Sequence, residues 1–282
     1  MGQESTEVRL RVRGRTVAEY VVDPDVDPRW GPRPHLHPVR TLAGVPVTDT
    51  LPEDHRWHLG ASVAMQDVSG TNLWGGRTYV RGTGYTWRDD HGRIVHERWV
   101  RRDEDGFVEE LRWLDPAGQT LLTEERTVRA EEVGGPLPAW RLDFAYRLSA
   151  PADRDVVLGS PATNGRPGGA GYGGFFWRAA PGATRTFTAT ATGEEEANGS
   201  TEPWLALVGE TGDAAYTLVF TGLGAGDHWF VRTGIYPGVC VALAFERTLP
   251  IPAGEHVRRR HRIVVADGAL SRDAAAHLAA LP

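Results

Sequence analysis

Short runs of alternating apolar and polar residues, separated by turn signals, are the feature that most limits how this chain can fold. Apolar residues occupy every second position in 7–13 and again in 142–148, and this period of two is typical of strands with one buried face. Roughly fourteen strand-like runs of this kind are separated by glycine-, proline- and aspartate-rich turns. Only 271–281 has a helical pattern, with Ser271 as a candidate N-cap. The sequence therefore predicts an all-β fold, a large antiparallel β-sandwich with a short C-terminal helix.

The chain length is compatible with one such sandwich. The protein has 282 residues, and all-β sandwiches of about 250 residues form single domains. The sequence contains neither a linker-like stretch nor a repeat with a period of about 20–50 residues. We therefore expect residues 1–282 to form a single β-sandwich domain.

Composition excludes several classes of function. The 31 basic residues are all arginine and the net charge is −6, so a Schiff-base lysine and a P-loop are absent. Basic residues form no tract apart from 258–262, which argues against a nucleic-acid partner. No stretch approaches the roughly 20 apolar residues of a membrane helix, and the polar N-terminus does not resemble a secretory signal. We expect a cytoplasmic protein without a membrane partner, in which the single cysteine, Cys240, is a small buried apolar residue.

The segment 33–60 is unusually polar and contains four of the ten histidines, as the pairs His35/His37 and His55/His58. Residues 33–37 precede Pro38 and are expected to be extended, which would project both histidines of the first pair to one side. Residues 51–60 are expected to form a loop or one helical turn. The spacing of three would then place His55 and His58 on the same side.

Imidazole groups take up and release protons near neutral pH, so His55 and His58 are predicted to act as acid and base. Asp54 could orient one of the two rings. His96 is a third catalytic candidate because Arg98 shares its strand face, although a histidine satisfied within the core is the alternative.

Other residues are predicted to contact substrate. Arginine forks bind carboxylates, phosphates or vicinal hydroxyls, and exposed tryptophans in polar loops can stack on a sugar ring. Arg40 has an alternative role, a salt bridge to Asp49. The glycine-rich segment 159–174 is expected to be a long loop that could cover a site. The predicted substrate-binding residues are His35, His37, Arg40, Asp54, Trp57, Trp74, Arg178 and Tyr236, with Arg232 as a further candidate at the rim.

A metal site is the alternative for the same segment. Neutral imidazoles bind zinc, copper or iron, and the two pairs, His35 with His37 and His55 with His58, could together hold one divalent ion. HxH and HxxH are each weak motifs, and no sequence feature shows that the pairs meet. The leading expectation is therefore a site without a cofactor.

Several motifs resemble a family described as methane oxygenase PmoA-like, also described as a domain of unknown function. They are LHPVRT at 36–41, VTD at 47–49, DHRWHLG at 54–60, NLWGG at 72–76 and GYGGFFWR at 171–178, and similar stretches continue to 268. Particulate methane monooxygenase is a membrane enzyme and this chain has no predicted span, so the resemblance implies membership rather than that activity. Members commonly have a DHxHHxG-like pattern. Trp57 stands here where histidine is common, which weakens the metal alternative.

The all-β pattern is also similar to the galactose-mutarotase-like super-sandwich, in which a concave sheet face binds sugars and histidines act as acid or base. This likeness implies a carbohydrate-active enzyme of the epimerase, lyase or hydrolase type that acts on a small-molecule sugar. The alternatives are a metal-dependent enzyme using the same site and a noncatalytic glycan-binding module. The sequence leaves a homodimer open.

Overall fold

Antiparallel strands account for nearly all of the regular structure. A computed structural model describes residues 7–281. Its strands are β1 (Glu7–Val12), β2 (Arg15–Val21), β3 (His35–Val39), β4 (Ala61–Ala64), β5 (Asp67–Val68), β6 (Thr78–Val80), β7 (Gly84–Thr86), β8 (Arg93–Arg102), β9 (Gly106–Leu114), β10 (Thr120–Glu132), β11 (Ala139–Ser149), β12 (Val156–Gly159), β13 (Gly174–Arg178), β14 (Thr184–Thr188), β15 (Trp204–Thr211), β16 (Ala214–Thr221), β17 (His228–Arg232), β18 (Gly238–Ala242), β19 (Leu249–Ile251) and β20 (His256–Asp267). The helices are α1 (Glu194–Ala197), α2 (Arg272–Ala279) and a 3-10 turn over Pro28–Trp30.

The strands form two large sheets and two small ones. One large sheet has seven strands in the order β1-β2-β3-β4-β13-β18-β17, and the other has eight in the order β14-β15-β16-β20-β11-β10-β9-β8. β19, β12 and β5 form a three-stranded sheet, and β6 and β7 form a separate hairpin. Every pairing between these strands is antiparallel. The predicted all-β sandwich class is confirmed.

The main core lies between the two large sheets. Phe175 of the seven-stranded sheet packs on Phe144 of the eight-stranded sheet, with ring centroids 4.8 Å apart. Trp177 meets Phe220 in the same way at 5.8 Å. Each buried aromatic or aliphatic side chain of this size stabilises the fold by about 1.5–3 kcal/mol relative to exposure. The alternation along each strand therefore has a direct energetic cause, because one face of each sheet is removed from water.

The second face of the seven-stranded sheet is also apolar. Phe176 points away from the core that holds Phe175 and Trp177, since successive side chains alternate across a strand. It joins a second cluster with Phe230 of β17 and Cys240 of β18. Cys240 is fully buried there, as the sequence predicted. Loops cover this outer face rather than another sheet, and they build the cleft described below.

The C-terminal helix forms where the sequence predicted it. The Ser271 side chain accepts a hydrogen bond from the Ala274 backbone amide at the start of α2, which is the usual N-cap arrangement. Ala275 and Leu278 pack on the outer face of the eight-stranded sheet. The single turn of α1 was not predicted. No helix among residues 7–281 is long and apolar enough to cross a membrane.

Candidate active site

Two consecutive tight turns bring His55 and His58 together. The backbone amide of His55 donates to the Pro52 carbonyl (3.1 Å), and the amide of His58 donates to the His55 carbonyl (2.8 Å). The Leu51 amide closes the loop on the His58 carbonyl at 2.9 Å. The two imidazole rings stack with their centroids 4.8 Å apart and their planes at 21°. The predicted loop and the shared side of the two rings are thus present in the structure.

Asp54 holds the His55 ring in one orientation. Its Oδ2 lies 2.8 Å from Nδ1 of His55. Partial burial by itself would raise the pKa of Asp54, but the hydrogen bond from His55 and the charges of His55 and Arg178 outweigh it, so the pKa is lowered. An ionised carboxylate only accepts hydrogen bonds. Nδ1 of His55 must therefore carry the proton, which leaves the lone pair of Nε2 free to take up another.

His58 lies beneath His55 and is uncharged. Only 1% of its surface is exposed, and Nη1 of Arg178 lies 3.3 Å from its Nδ1. A guanidinium can only donate, so Nδ1 of His58 accepts and its proton sits on Nε2. Burial lowers the pKa of His58 well below its usual value, and the positive charges of His55 and Arg178 lower it further. His58 is therefore a neutral imidazole, which does not suit it to the role of a protonated acid near neutral pH.

Arg178 positions the loop rather than forming a rim. Its side chain is 5% exposed and lies 3.7 Å from Asp49 and 3.8 Å from Asp54. Its guanidinium also packs over the ring of Tyr236 at 4.9 Å. Arg178 closes β13, so the loop with its histidines is tied to the seven-stranded sheet by charge. Arg178 lies outside the lining of the cleft, so its direct contact with substrate stays a prediction.

The loop opens onto a cleft of about 510 Å³ on the outer face of the seven-stranded sheet. The cleft is mainly aromatic with several arginines. Its sequence-predicted members are Asp54, His55, Trp57, His58, Trp74, Tyr236 and Arg232, and its further members are Gly75, Arg77, Tyr85, Trp87, Arg166, Tyr172, Phe230 and Ile235. A cleft of this size accommodates a small organic ligand.

Trp57 and Trp74 line the cleft, but they differ in exposure. Trp74 is 2% exposed and its ring packs 4.7 Å from that of Tyr172, so it forms wall rather than an open platform. Trp57 is half-buried. Gly76 has a φ of +71°, and a Cβ there would lie 2.6 Å from the Trp57 ring. The glycines of the NLWGG segment therefore allow the loop to approach Trp57 closely.

The first histidine pair does not reach the cleft. His35 is buried, and its Nδ1 is 3.1 Å from the Arg33 carbonyl. Burial lowers the pKa of His35 to about 3. Nδ1 of His37 is 3.0 Å from the Thr48 hydroxyl. The two residues share an extended segment as predicted, but neither lines this cleft. Their substrate contacts stay predictions.

Two other predicted residues lie elsewhere. Arg40 is 3.8 Å from Glu19, not in the expected salt bridge with Asp49, and it does not line the cleft. His96 lies on β8 with Nδ1 2.7 Å from Oε2 of the buried Glu109. This contact fits the alternative given for His96, a histidine whose hydrogen bonds are satisfied within the protein. Its register changes between 96 and 98 through a β-bulge, and this irregularity is not readable from alternation in sequence.

The structure does not assemble the four-histidine metal site. Within 7–281, no group of three or more histidine, cysteine, aspartate or glutamate side chains is placed to hold a metal ion. His55 and His58 meet each other, whereas His35 and His37 are engaged by backbone and hydroxyl partners.

Residues remote in sequence complete the cleft. Arg166 and Tyr172 come from the predicted long loop, which does cover the site, and Tyr85 and Trp87 come from the β6–β7 hairpin and the residue following it. The Tyr85 and Tyr172 hydroxyls are 2.9 Å apart, and Arg166 donates to Tyr85. One signal could have identified the hairpin. It concentrates aromatic residues in a short, turn-rich and otherwise polar segment, which exposes them instead of burying them in the core.

Comparison with known proteins gives a family but no activity. A family model described as a family of unknown function, DUF6807, matches residues 7–280. No curated protein matches the chain. The match confirms the expectation that one family relationship extends over almost the whole chain. A chemical role has to be inferred from the cleft itself.

Proposed function

Since the chain belongs to DUF6807, a family of unknown function, we propose from its cleft that it is a carbohydrate-active enzyme in which His55 moves a proton on a bound sugar. The observation that carries this proposal is the Asp54–His55 hydrogen bond of 2.8 Å at an aromatic-walled cleft. The hydrogen bond fixes the tautomer of His55, which can transfer a proton, and the aromatic walls of the cleft suit a sugar ring.

The walls of the cleft favour a sugar. Trp87 is 49% exposed and Ile235 is 71% exposed, and both line the cleft. Apolar and aromatic side chains that line a cleft are the usual contacts for the apolar part of a ligand. A pyranose has an apolar CH face that packs on aromatic rings, while its hydroxyls need the polar groups that arginines and tyrosines of the cleft provide. Trp87 therefore replaces Trp74 as the open platform in this proposal.

The chemistry is general acid–base catalysis. Nε2 of His55 takes a proton from carbon or oxygen of the sugar, and the imidazolium that forms is stabilised by the ionised Asp54 on its other side. The proton is then returned to product or to a leaving oxygen. Epimerisation, elimination and hydrolysis all use this step, so the proposal includes the epimerase, lyase and hydrolase types.

His58 and Arg178 support that step without exchanging the proton. The neutral His58 ring stacks under His55 at 4.8 Å, so it limits the orientations open to the His55 ring. Arg178 bonds to His58 and lies 3.8 Å from Asp54. The similarity in strand pattern to mutarotase-like sandwiches supports the same class, because those folds also bind sugars on a sheet face.

The proposal is tested with a panel of neutral and acidic mono- and oligosaccharides followed by proton NMR. This readout detects anomeric exchange, new vinyl protons and new reducing ends in one experiment. Wild type is compared with His55→Ala, His58→Ala and the control His256→Ala, an exposed histidine at the start of β20. We expect His55→Ala to lose about 10²–10⁴-fold in turnover and the control to match wild type.

Two results would contradict the proposal. Turnover unchanged in both His55→Ala and His58→Ala would remove these residues from the chemistry. Binding of a saccharide without any turnover, retained in His55→Ala and lost in Trp57→Ala, would indicate a noncatalytic glycan-binding module instead.

A further inference from the structure

The charges that line the cleft differ in sign from the charge of the whole protein. Arg77, Arg166 and Arg232 line it together with one carboxylate, Asp54, whereas the chain has a net charge of −6. A local excess of positive charge in a cleft of an acidic protein attracts anions and raises their local concentration.

The carboxylates near the cleft do not neutralise all of this charge. Asp54 is hydrogen-bonded to His55 and lies 3.8 Å from Arg178. Arg232 has its own partners, the Val231 carbonyl at 2.6 Å and Glu194 at 3.6 Å.

Arg77 and Arg166 have no such partner. Neither has a carboxylate within 4.0 Å among residues 7–281. Arg77 is exposed and its guanidinium lies 5.9 Å from the Trp87 ring centroid. Arg166 is half-buried. Two unpaired cations therefore remain available to a ligand in the cleft.

Arg166 is the better fixed of the two. It donates to the Tyr85 hydroxyl and its guanidinium lies 4.8 Å from the Tyr85 ring centroid. The Tyr172 hydroxyl holds Tyr85 from the other side at 2.9 Å. Burial raises the pKa of both tyrosines, so they stay neutral and leave the charge of Arg166 uncompensated. The described part of the chain offers no other acceptor to this guanidinium.

We propose that the ligand of this cleft is a saccharide bearing an oxyanion, bound through the free donors of Arg166, with Arg77 contributing charge at the mouth. This rests on the proposed function and narrows its substrate class. A guanidinium fork fits a carboxylate or a phosphate by paired hydrogen bonds. The shared chemistry is therefore an oxyanion on a sugar, as in a uronic acid or a sugar phosphate.

The test measures affinity by titration calorimetry at constant ionic strength. The probes are glucuronate, glucose 6-phosphate, glucose and inorganic phosphate. The variants are Arg166→Gln, Arg166→Lys and the control Arg98→Gln, which removes the same charge from an exposed pair with Glu110 on the eight-stranded sheet. Circular dichroism verifies that each variant is folded.

We expect one anionic sugar to bind about tenfold more tightly than glucose, which is the usual contribution of a hydrogen bond to a charged group. Arg166→Gln should abolish this preference by weakening the anionic sugars more than glucose, Arg166→Lys should retain part of it, and Arg98→Gln should retain all of it. If Arg166→Gln does not fold, Tyr85→Phe provides the second variant. It keeps the charge, removes the bond that orients it, and should reduce the preference.

The remaining outcomes separate this inference from the proposed function. Equal binding of glucose and both anionic sugars overturns the inference and leaves a neutral-sugar enzyme in place. Binding of inorganic phosphate as tight as that of glucose 6-phosphate also overturns it, because the sugar then contributes nothing. Failure of every saccharide in the panel to bind contradicts the proposed function itself.

Discussion

Two histidine–carboxylate pairs in this protein have almost the same geometry and very different surroundings. Nδ1 of His55 is 2.8 Å from Asp54, and Nδ1 of His96 is 2.7 Å from Glu109. By distance alone, either could be a catalytic dyad. The groups around each pair decide which one has access to a ligand.

The His96 pair belongs to a buried network, although 16% of the His96 side chain remains exposed. Glu109 is fully buried and also accepts from the Tyr20 hydroxyl. Arg126, 0% exposed, bonds to that same hydroxyl at 2.7 Å and pairs with Glu124 at 2.7 Å. Buried charges are tolerated when every one is paired in this manner. This pair is thus occupied with holding β2, β8, β9 and β10 together.

The His55 pair lies at the edge of a cleft. Asp54 is exposed, and the His55 ring borders Tyr236 at 4.8 Å and Trp57 at 5.2 Å. A carboxylate–imidazole contact becomes a candidate site when its imidazole faces a cavity, as His55 does and His96 does not. Interfering with each pair should therefore change a different property of the protein.

The largest expected effect is on turnover when the cleft pair loses its charge. Asp54→Asn removes the carboxylate that fixes the His55 tautomer and stabilises the imidazolium, and we expect a loss of about 10²–10⁴-fold in turnover. Steady-state kinetics on the sugar identified by NMR measures this. Asp213→Asn, at an exposed turn between β15 and β16, is the matched control, and equal turnover in the two variants would contradict the role of Asp54.

Removing a charge from the network around the His96 pair should lower the stability of the fold. Arg126→Met leaves the carboxylates of Glu109 and Glu124 buried without their cation, and we expect the free energy of unfolding to fall by about 3–5 kcal/mol. Urea denaturation measures this value. Arg98→Met breaks an exposed pair with Glu110 and should change it by less than about 1 kcal/mol. Similar losses in the two variants would contradict the view that the buried network stabilises the fold more than an exposed ion pair does.

Sequence reasoning identified the strands well because their signal is local. The alternation of Val8, Leu10 and Val12 and the Ser271 cap depend on neighbours in the chain, and all appear as predicted. The pairing of β4 with β13 and of β16 with β20 is not a local property. It depends on which faces bury each other, so the order of strands in the sheets could not be derived.

The candidate site was predictable in part, and the predicted members include Trp74, Arg232 and Tyr236, which are remote from the histidine loop in sequence. His55, Asp54 and His58 were identified because one loop carries them. Arg166 and Trp87 reach the same cleft from other segments, and no spacing in the chain relates them. The reverse holds for His35, which is near His55 in sequence but is buried against the Arg33 carbonyl and does not line the cleft.

A smaller effect on stability should appear at acidic pH, because the His58 ring beneath His55 is buried and neutral. The pKa of His58 is lowered by burial in the folded protein, so the unfolded chain binds a proton more readily once the pH falls below about 6.5. Stability should therefore decrease on acidification, by up to about 1.4 kcal/mol per pH unit for this group. His35 and His261, with pKa values lowered by burial to about 3 and about 4, add to the decrease.

His58→Asn isolates the contribution of the cleft. Urea titrations between pH 7 and pH 5 should give a shallower pH dependence than in wild type, by up to about 1.4 kcal/mol per pH unit at the acid end of this range. His256→Asn removes an exposed histidine and should leave the slope unchanged. An identical slope in wild type and His58→Asn would mean that folding does not lower the pKa of His58, and would contradict its buried neutral state.

The smallest effect is expected on saccharide affinity, from the aromatic walls of the cleft beside the His55 pair. Trp87 is exposed and lines the cleft, so Trp87→Ala should weaken saccharide binding by about 0.5–1.5 kcal/mol while the free energy of unfolding stays within about 0.5 kcal/mol. Val100→Ala, at another exposed apolar position on β8, should affect neither. Unchanged saccharide affinity in Trp87→Ala would assign the platform to another aromatic residue of the cleft.

The most direct test substitutes the two histidines in the same way and measures both properties of each variant. We predict that His55→Gln loses about 10²–10⁴-fold in turnover with little change in unfolding free energy. His96→Gln should keep its turnover and lose about 1–3 kcal/mol of unfolding free energy, because Oε2 of the buried Glu109 loses its hydrogen bond from the imidazole. The reverse result, in which His96→Gln abolishes turnover at unchanged stability and His55→Gln remains active, would contradict the assignment of the site to the cleft.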